Sequence, residues 1–409
     1  MCEAYPVKMT DTLLHCHQLS VGGSVKESVE LFERLVLDRF VFLAKELSVS
    51  MPEDFGTEAQ KVRLILQSED AECRDYLASR GEYFQAMLFS RVVSADFVDA
   101  ARVLFFCEAD GLIDETRTSV ALLEECDSLS EKTYCIPGFY GSYNGTEVRV
   151  FPRGGSDTSA AWIASLLRAD LCEIWTDVPG VYRADPRILN SADVESHIVP
   201  FLSHAVMYEL SFGGATVVAQ EALDPLRRAR VPMEVRSTFS PEKSGTRVVD
   251  ISTHEWSSAV LGSAGKAGFA QITLHRIGVN AQVGYGEQLF SYLRDCGIPY
   301  DHTPTGVGTI SVILQEKHLT EDVEAQLRAW VEDQMTPDEF TVHRSIAVFT
   351  IAGESISMVV VGEKLFRALR DVQVEPYFVS WPGKYSVTVG VPANKLGDVT
   401  VAAHRAFFS

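Results

Sequence analysis

FPRGGSDTSAAWIASLLRADLCEIWTDVPGVYRADPRI occupies residues 151–188, and its texture decides the fold class. Arg153-Gly-Gly-Ser-Asp157 is a glycine turn that runs into a nearly all-apolar helix from Thr158 to Leu167. A helix apolar on every side belongs inside a layered fold. Leu171 to Thr176 reads as a buried strand, and Val178-Pro-Gly-Val181 as a type II turn. Tyr134 opens a short strand that breaks at Gly138, and Glu147 to Phe151 is a second one. Downstream, Ser203 to Phe212 is a helix ending at Gly213-Gly214, and Val231 to Thr238 a strand. Strands alternating with helices predict an α/β sheet with helices on both faces.

The glycine turn is where chemistry is expected. Glycine lets the backbone approach a ligand closely, and a helix N-terminus offers unpaired N–H groups to an anion. Arg153 can hold a carboxylate or phosphate in two parallel hydrogen bonds. The same residues also fit a plain strand-turn-helix in which Ser156 or Asp157 caps the helix.

On either side the chain reads differently. Residues 10–130 are mostly helical, with Val29, Leu31, Leu35, Val36, Phe40 and Leu43 at helical spacing. Beyond Gly245, Gly286-Glu-Gln-Leu-Phe-Ser-Tyr-Leu-Arg-Asp295 is echoed by Gly362-Glu-Lys-Leu-Phe-Arg-Ala-Leu-Arg-Asp371. Each copy follows a strand (Phe269 to Leu274; Ile346 to Ile351). Each precedes two more, Ile298 to His302 with Thr309 to Leu314, and Val374 to Val379 with Tyr385 to Val389. That predicts a repeated βαββαβ unit.

The 409 residues suit two or three domains, and 46% hydrophobic residues suit a globular chain. A net charge of −20 argues against nucleic acid or an anionic membrane as partner. No apolar run reaches membrane-spanning length, so the expectation is a soluble, cytoplasmic protein. The eight cysteines form no C-x-x-C pair and read as reduced thiols. His15-Cys16-His17 point in different directions on a helix, so no metal site is expected there.

The stretch 151–188 resembles the aspartate kinase family. G-R-G-G-S-D-x-(T/S), E-I-(Y/W)-T-D-V-x-G-(V/I)-Y and A-D-P-R occur there in this order and spacing; here Pro152 replaces the first glycine. The resemblance continues through Glu209-Leu-Ser-Phe-Gly-Gly-Ala215, Arg230-Val-Pro232 and Ser244-Gly-Thr-Arg-Val248, and over the repeats to the final Ala-Phe-Phe. Lys8-Met-Thr-Asp-Thr-Leu-Leu14 and Gly81-Glu82 match upstream elements.

The resemblance implies an amino-acid-kinase three-layer α/β/α domain over 1–250, a linker over 251–267, and two ferredoxin-like ACT domains over 268–343 and 344–409. It implies transfer of the ATP γ-phosphate, with Mg²⁺, to the side-chain carboxylate of L-aspartate, the first step toward lysine, threonine and methionine. The catalytic residues would be Asp157, Arg153 and Ser156. Thr10, Glu82, Arg153, Gly154 and Gly155 would bind aspartate, and Thr176, Asp177, Tyr182 and Arg187 the nucleotide. Tyr285, Gly286 and Asp301 would bind an effector, lysine or threonine, and the ACT domains would pair two copies in a homodimer.

Two departures from the family are visible. Its opening K-F-G-G strand, which carries a phosphate-binding lysine, and a second strand are absent, so this polypeptide is expected to be N-terminally short, with little or no kinase activity. Thr216 stands where many members have a lysine near the nucleotide. The competing expectation is a non-catalytic effector-binding homologue with a degenerate kinase domain.

Overall fold

The computed structural model describes residues 8–126, 132–152, 154–189, 197–215, 217–250, 260–381 and 383–408. The chain divides into two compact units. The first comprises residues up to Cys172 with Val218–Met233, and the second Glu173–Val217 with Glu234–Ser409.

The first unit is mainly helical. α1 (Met9–Val21), α2 (Val25–Phe32), α3 (Asp38–Glu46), α4 (Phe55–Ser68) and α5 (Arg74–Val93) pack around Leu13, Phe32, Val36, Phe40, Leu66 and Phe84. The residues read at helical spacing, Val29 to Leu43, lie on one helical path over 25–46, with a π-helical turn at Glu33–Leu37 joining α2 to α3. Its strands are short. β1 (Asp96–Phe97) pairs in parallel with β2 (Tyr134–Cys135), and β3 (Tyr140–Ser142) antiparallel with β4 (Val148–Val150). α6 (Ala100–Val103), α7 (Glu115–Glu125), α8 (Gly155–Leu166) and the later α11 (Leu223–Ala229) complete it.

In the second unit, two of whose strands start at the boundary residues Cys172 and Met233, β5 (Cys172–Thr176), β6 (Phe201–Ser203), β7 (Met233–Ser237) and β8 (Thr246–Val249) form a sheet in the order β5-β7-β8-β6, with β6 parallel to β8. α9 (Pro186–Leu189) and α10 (His204–Gly213) belong here, and Ser203 caps α10 through Val206 N–H. The turn at 178–181 is not the expected one. A type II turn needs φ near +80° at its glycine, and Gly180 has φ 157°. Glycine is required instead by crowding: a Cβ there would lie 2.7 Å from Thr246 Oγ1 and 2.9 Å from Ile198.

The two repeats share one antiparallel sheet of order β10-β9-β11-β13-β12. β9 (Val260–His275) and β11 (Glu339–Gly353) are long and cross from one repeat to the other. β9 from Phe269 on pairs with β10 (Thr309–Gln315), while its first half pairs with Ala347–Gly353 of β11. Both strands bend midway, at Gly268 (φ 96°) and Ser345 (φ 56°), the latter beside a register shift. Such irregularities re-aim a strand. This corrects the predicted boundaries. Residues 260–267, expected to be linker, are strand, and the second repeat takes an edge from before the first. Residues 251–259 lie outside the described residues.

α12 (Tyr285–Asp295) and α13 (Glu321–Trp330) bury Leu289, Leu293 and Leu327 on the first half of the sheet. α14 (Met358–Asp371) and α15 (Leu396–Phe408) bury Leu365, Leu369, Val399 and Ala403 on the second, which includes β12 (Phe378–Ser380) and β13 (Ser386–Pro392). The strand expected at Ile298 to His302 reduces to bridges at His302 and Thr305. Pro299 and Pro304 remove the donors a full ladder needs.

No helix among the described residues is long and apolar enough to cross a membrane, and the described cysteines are free thiols. Cys16 is buried, while His17 Nε2 turns to the Asp70 carbonyl at 3.2 Å.

Candidate functional site

The start of α8 is built by close approach. Gly154 is the N-cap, at φ 78°, and makes no side-chain capping bond. A Cβ there would lie 2.4 Å from Ala219 Cβ. Gly155 is pressed between Phe151 and Phe139, where a Cβ would come within 2.6 and 3.0 Å. Ser159 Oγ donates to the Ser156 carbonyl at 2.9 Å and accepts from Phe139 N–H at 3.2 Å. The 138–139 turn is thereby fixed onto the first turn of α8, with Phe139 at φ 77°.

Neither Ser156 nor Asp157 caps the helix. The Asp157 carboxylate accepts from Ala219 N–H at 3.0 Å, a bond that spans 62 positions. Burial raises the Asp157 pKa, and the Ala219 N–H partly opposes this. A 12-residue helix therefore presents first-turn N–H groups free of a side-chain cap, beside a carboxyl held in a half-buried place. An uncapped helix start of this kind has N–H groups that can receive an anion.

Glu82 lies on α5, and burial raises its pKa too. The residue before it explains the packing. A Cβ at Gly81 would lie 2.6 Å from Met9 Cγ, so only glycine lets the first turn of α1, which holds Thr10, close on α5. Arg153, the expected carboxylate clamp, lies outside the described residues, as does Thr216.

The four expected nucleotide residues sit in the second unit. The Thr176 carbonyl at the end of β5 accepts from Thr238 N–H at 2.8 Å, and the Thr176 hydroxyl donates to Asp177 at 3.2 Å. Tyr182 bridges to Ile198. Arg187 forms a fork with Asp185, at 3.0 and 2.7 Å, yet 88% of its side chain is exposed, and the fork holds the Asp185 carboxyl below its ordinary range.

Of the expected effector residues, Tyr285 and Gly286 open α12 after Gly284 (φ 82°), again without a side-chain cap. The Tyr285 hydroxyl is buried and has no hydrogen-bond partner among the described residues. Gly286 packs by Ile310, whereas Asp301 N–H bonds the Ile313 carbonyl at 2.8 Å. Its carboxyl, raised by burial, is steadied by Lys266, His318, Lys317 and Gln315. Asp301 thus stands beside Ile313 and the α12 start beside Ile310 of the same strand, β10.

One buried cluster went unread in the sequence. Arg80, 2% exposed, pairs with Glu58 at 2.7 Å and lies over the Tyr76 and Tyr83 rings at 4.3 Å and the Tyr140 ring at 5.3 Å. The Tyr140 hydroxyl donates to Asp99 at 2.6 Å. An arginine inside Tyr76-Leu-Ala-Ser-Arg-Gly-Glu-Tyr-Phe84, a helix buried on several faces, was the available signal.

These features have counterparts in known proteins. The amino acid kinase family model matches residues 24–237. Aspartokinase 3 of Bacillus subtilis is 27% identical over 425 aligned residues, covering 99% of this chain and 90% of that protein. The crystal structure of Clostridium acetobutylicum aspartate kinase has a TM-score of 0.83 at 28% identity, covering 98% of this chain and 89% of that one. E. coli aspartokinase III, solved with aspartate and ADP and with lysine and aspartate, has TM-scores of 0.75 and 0.74 at 22% identity. Each covers 98% of this chain and 91% of that one, and shows likeness of fold. The chain belongs to the amino acid kinase family. Its relatives there, over nearly the whole length, are aspartate kinases.

Proposed function

We propose that the chain is an aspartate kinase of amino-acid biosynthesis, transferring the ATP γ-phosphoryl group to the side-chain carboxylate of L-aspartate. The observation that carries this reading is the glycine-led start of α8, with open N–H groups and Asp157 tied to Ala219. Phosphoryl transfer needs alignment of two anions and donors aimed at the charge between them, with no covalent enzyme intermediate. The Gly154-Gly155 backbone and Ser156 line the reacting end. Asp157 orients neighbouring donors. Glu82 accepts from the substrate ammonium, Thr10 hydrogen-bonds the substrate, and Arg153 grips its carboxylate. Thr176, Asp177, Tyr182 and Arg187 hold the nucleotide. Mg²⁺ would come with the nucleotide and would supply charge neutralisation, as an ion that needs only one or two protein carboxylates.

Arg153→Ala should abolish acyl-phosphate formation, read as hydroxamate, while ADP still binds in calorimetry. Arg153→Lys should rescue poorly, because a point charge cannot make the two-pronged pairing. Unchanged turnover in Arg153→Ala would overturn the assignment. A non-catalytic homologue is not favoured, since the glycine turn and its packing are intact.

The two repeats would act as an amino-acid-binding regulatory pair. The uncapped start of α12 suits an effector carboxylate, whereas α14 is already capped by Ser357 through Val360 N–H. The edges β10 and β12 of the shared sheet suit pairing with a second copy in a homodimer. Lysine or threonine at about 100 times its Kd should stabilise the chain by roughly 2.7 kcal/mol. Thermal melts with lysine, threonine and methionine test this. Gly286→Val should remove the shift, and so should Asp301→Ala. No shift with any of the three would refute the effector site.

A further inference from the structure

The second unit holds a contact for which phosphoryl transfer gives no reason. Residues 181–183 run antiparallel to 197–199, with Arg183 N–H donating to the His197 carbonyl and Val199 N–H to the Val181 carbonyl, both at 2.8 Å. The Arg183 carbonyl accepts in turn from Ser263 N–H of β9 at 2.7 Å. α15, the last helix, closes on the same place. His404 Nε2 lies 3.2 Å from His197 Nδ1, and the rings meet edge to face at 4.7 Å and 74°. The Arg183 guanidinium stands 5.3 Å over the Phe408 ring, and α15 also packs against α9, the helix of Arg187. The segment that carries Tyr182 and Arg187 is thus held by a strand and a helix of the regulatory sheet.

We propose that His404 is a positioning residue for nucleotide binding: its hydrogen bond to His197 holds residues 181–187 in the binding conformation, and double protonation of the pair releases them. An N–H···N bond needs one ring nitrogen without a proton, so it survives with one imidazolium and fails with two. The second charge would also face Arg183.

The other charged groups on the elements packed against α15 are engaged with partners or exposed. On α9, Asp185 and Arg187 are forked together. On α14, Lys364 lies over the Phe407 ring, and at the start of α15 Lys395 pairs with Asp398. Arg405 is exposed on α15 itself. The facing stretches of β9 and β11, Val260–Ala264 and Ile346–Gly353, contain no charged residue. Burial holds the His404 imidazole below the ordinary histidine range, and His197 and Arg183 push it the same way. The neutral form is therefore favoured in the fold. The contact is fully present above the ordinary histidine range and is lost as the pH falls through the lowered value.

The inference rests on the assignment of 182 and 187 to the nucleotide, so its test separates the two. ADP binding to the full chain is measured by calorimetry from pH 5 to 8, and hydroxamate formation is followed in parallel. His404→Leu should weaken ADP binding about fivefold to tenfold at pH 7.5, the worth of one hydrogen bond. Its kcat at saturating ATP should stay within about twofold, the mark of lost ground-state binding. His404→Gln should keep wild-type affinity, because an amide can donate to neutral His197 or accept from its charged form, and it should flatten the loss of affinity in acid. Wild-type turnover with equal ADP affinity in all three proteins would overturn the inference alone. Survival of the acid limb in His404→Gln would overturn it as well. A wild-type chain that binds no ADP would overturn both the inference and the nucleotide assignment.

Discussion

Replacing Asp157 by alanine is expected to cut acyl-phosphate formation about 10²–10³-fold, the scale on which a preorganised electrostatic group at a reacting centre contributes. The change removes both the carboxylate and the acceptor that ties Ala219 N–H to the first turn of α8. Asp157→Asn separates these roles. The amide oxygen still accepts from Ala219, so the packing of Gly154 against Ala219 is kept while the charge is lost. Turnover in Asp157→Asn near wild type would show that the residue is only a tie.

The pH behaviour gives a second readout. Burial raises the Asp157 pKa in the fold, so its proton is held more tightly there than in the unfolded chain. For a carboxyl shifted this way, the stabilising contribution is complete below the unfolded pKa and is lost as the pH rises through the folded one. The charged form needed for function is thus the one the fold tolerates less. Asp157→Asn should therefore melt no lower than wild type at pH 8, and the acid limb of the wild-type rate profile due to this group should vanish. A melting temperature several degrees lower in Asp157→Asn would contradict that account.

Removing Glu58 alone should be among the most destabilising single changes in the first unit. Glu58→Leu leaves the Arg80 guanidinium, 2% exposed, without its counter-ion. Breaking one half of a buried pair costs about 3–5 kcal/mol, because the remaining charge stays out of water. Ser79 Oγ, 3.0 and 3.2 Å from two guanidinium nitrogens, and the three tyrosine rings offset only part of that loss. The Tyr76 hydroxyl, which donates to Glu58, loses its acceptor as well. Replacing both partners, Glu58→Leu with Arg80→Met, should recover most of the stability, since an apolar pair of similar volume carries no desolvation cost. Urea unfolding of the two single variants and the double variant gives the coupling. Additive losses would mean that the pair is not the unit of stability assigned to it.

The contrast between these two sites explains what could be read in advance. The start of α8 was legible because its cause is local: two glycines, a run of apolar residues and a strand before them occupy consecutive positions. The same holds for β5, for α10 with its Ser203 cap, and for the repeated helices α12 and α14, whose apolar faces recur at helical spacing. The Arg80 cluster was not legible in that way. Nothing in the spacing of residues 76–84 says that Glu58, from another helix, will meet the arginine inside the core.

The sequence by itself determined the layered α/β class, the paired repeats, the glycine-led helix start and the kinship with aspartate kinases, because each is written in short-range pattern or in the order of motifs. Only the tertiary structure decided which distant groups share a point in space. It tied Asp157 to Ala219 across 62 positions and His197 to His404 across 207. It also turned residues 260–267 from expected linker into strand. The reason is physical: periodicity reports which face of an element is buried, whereas strand register and the partner of a buried polar group depend on how the whole chain closes.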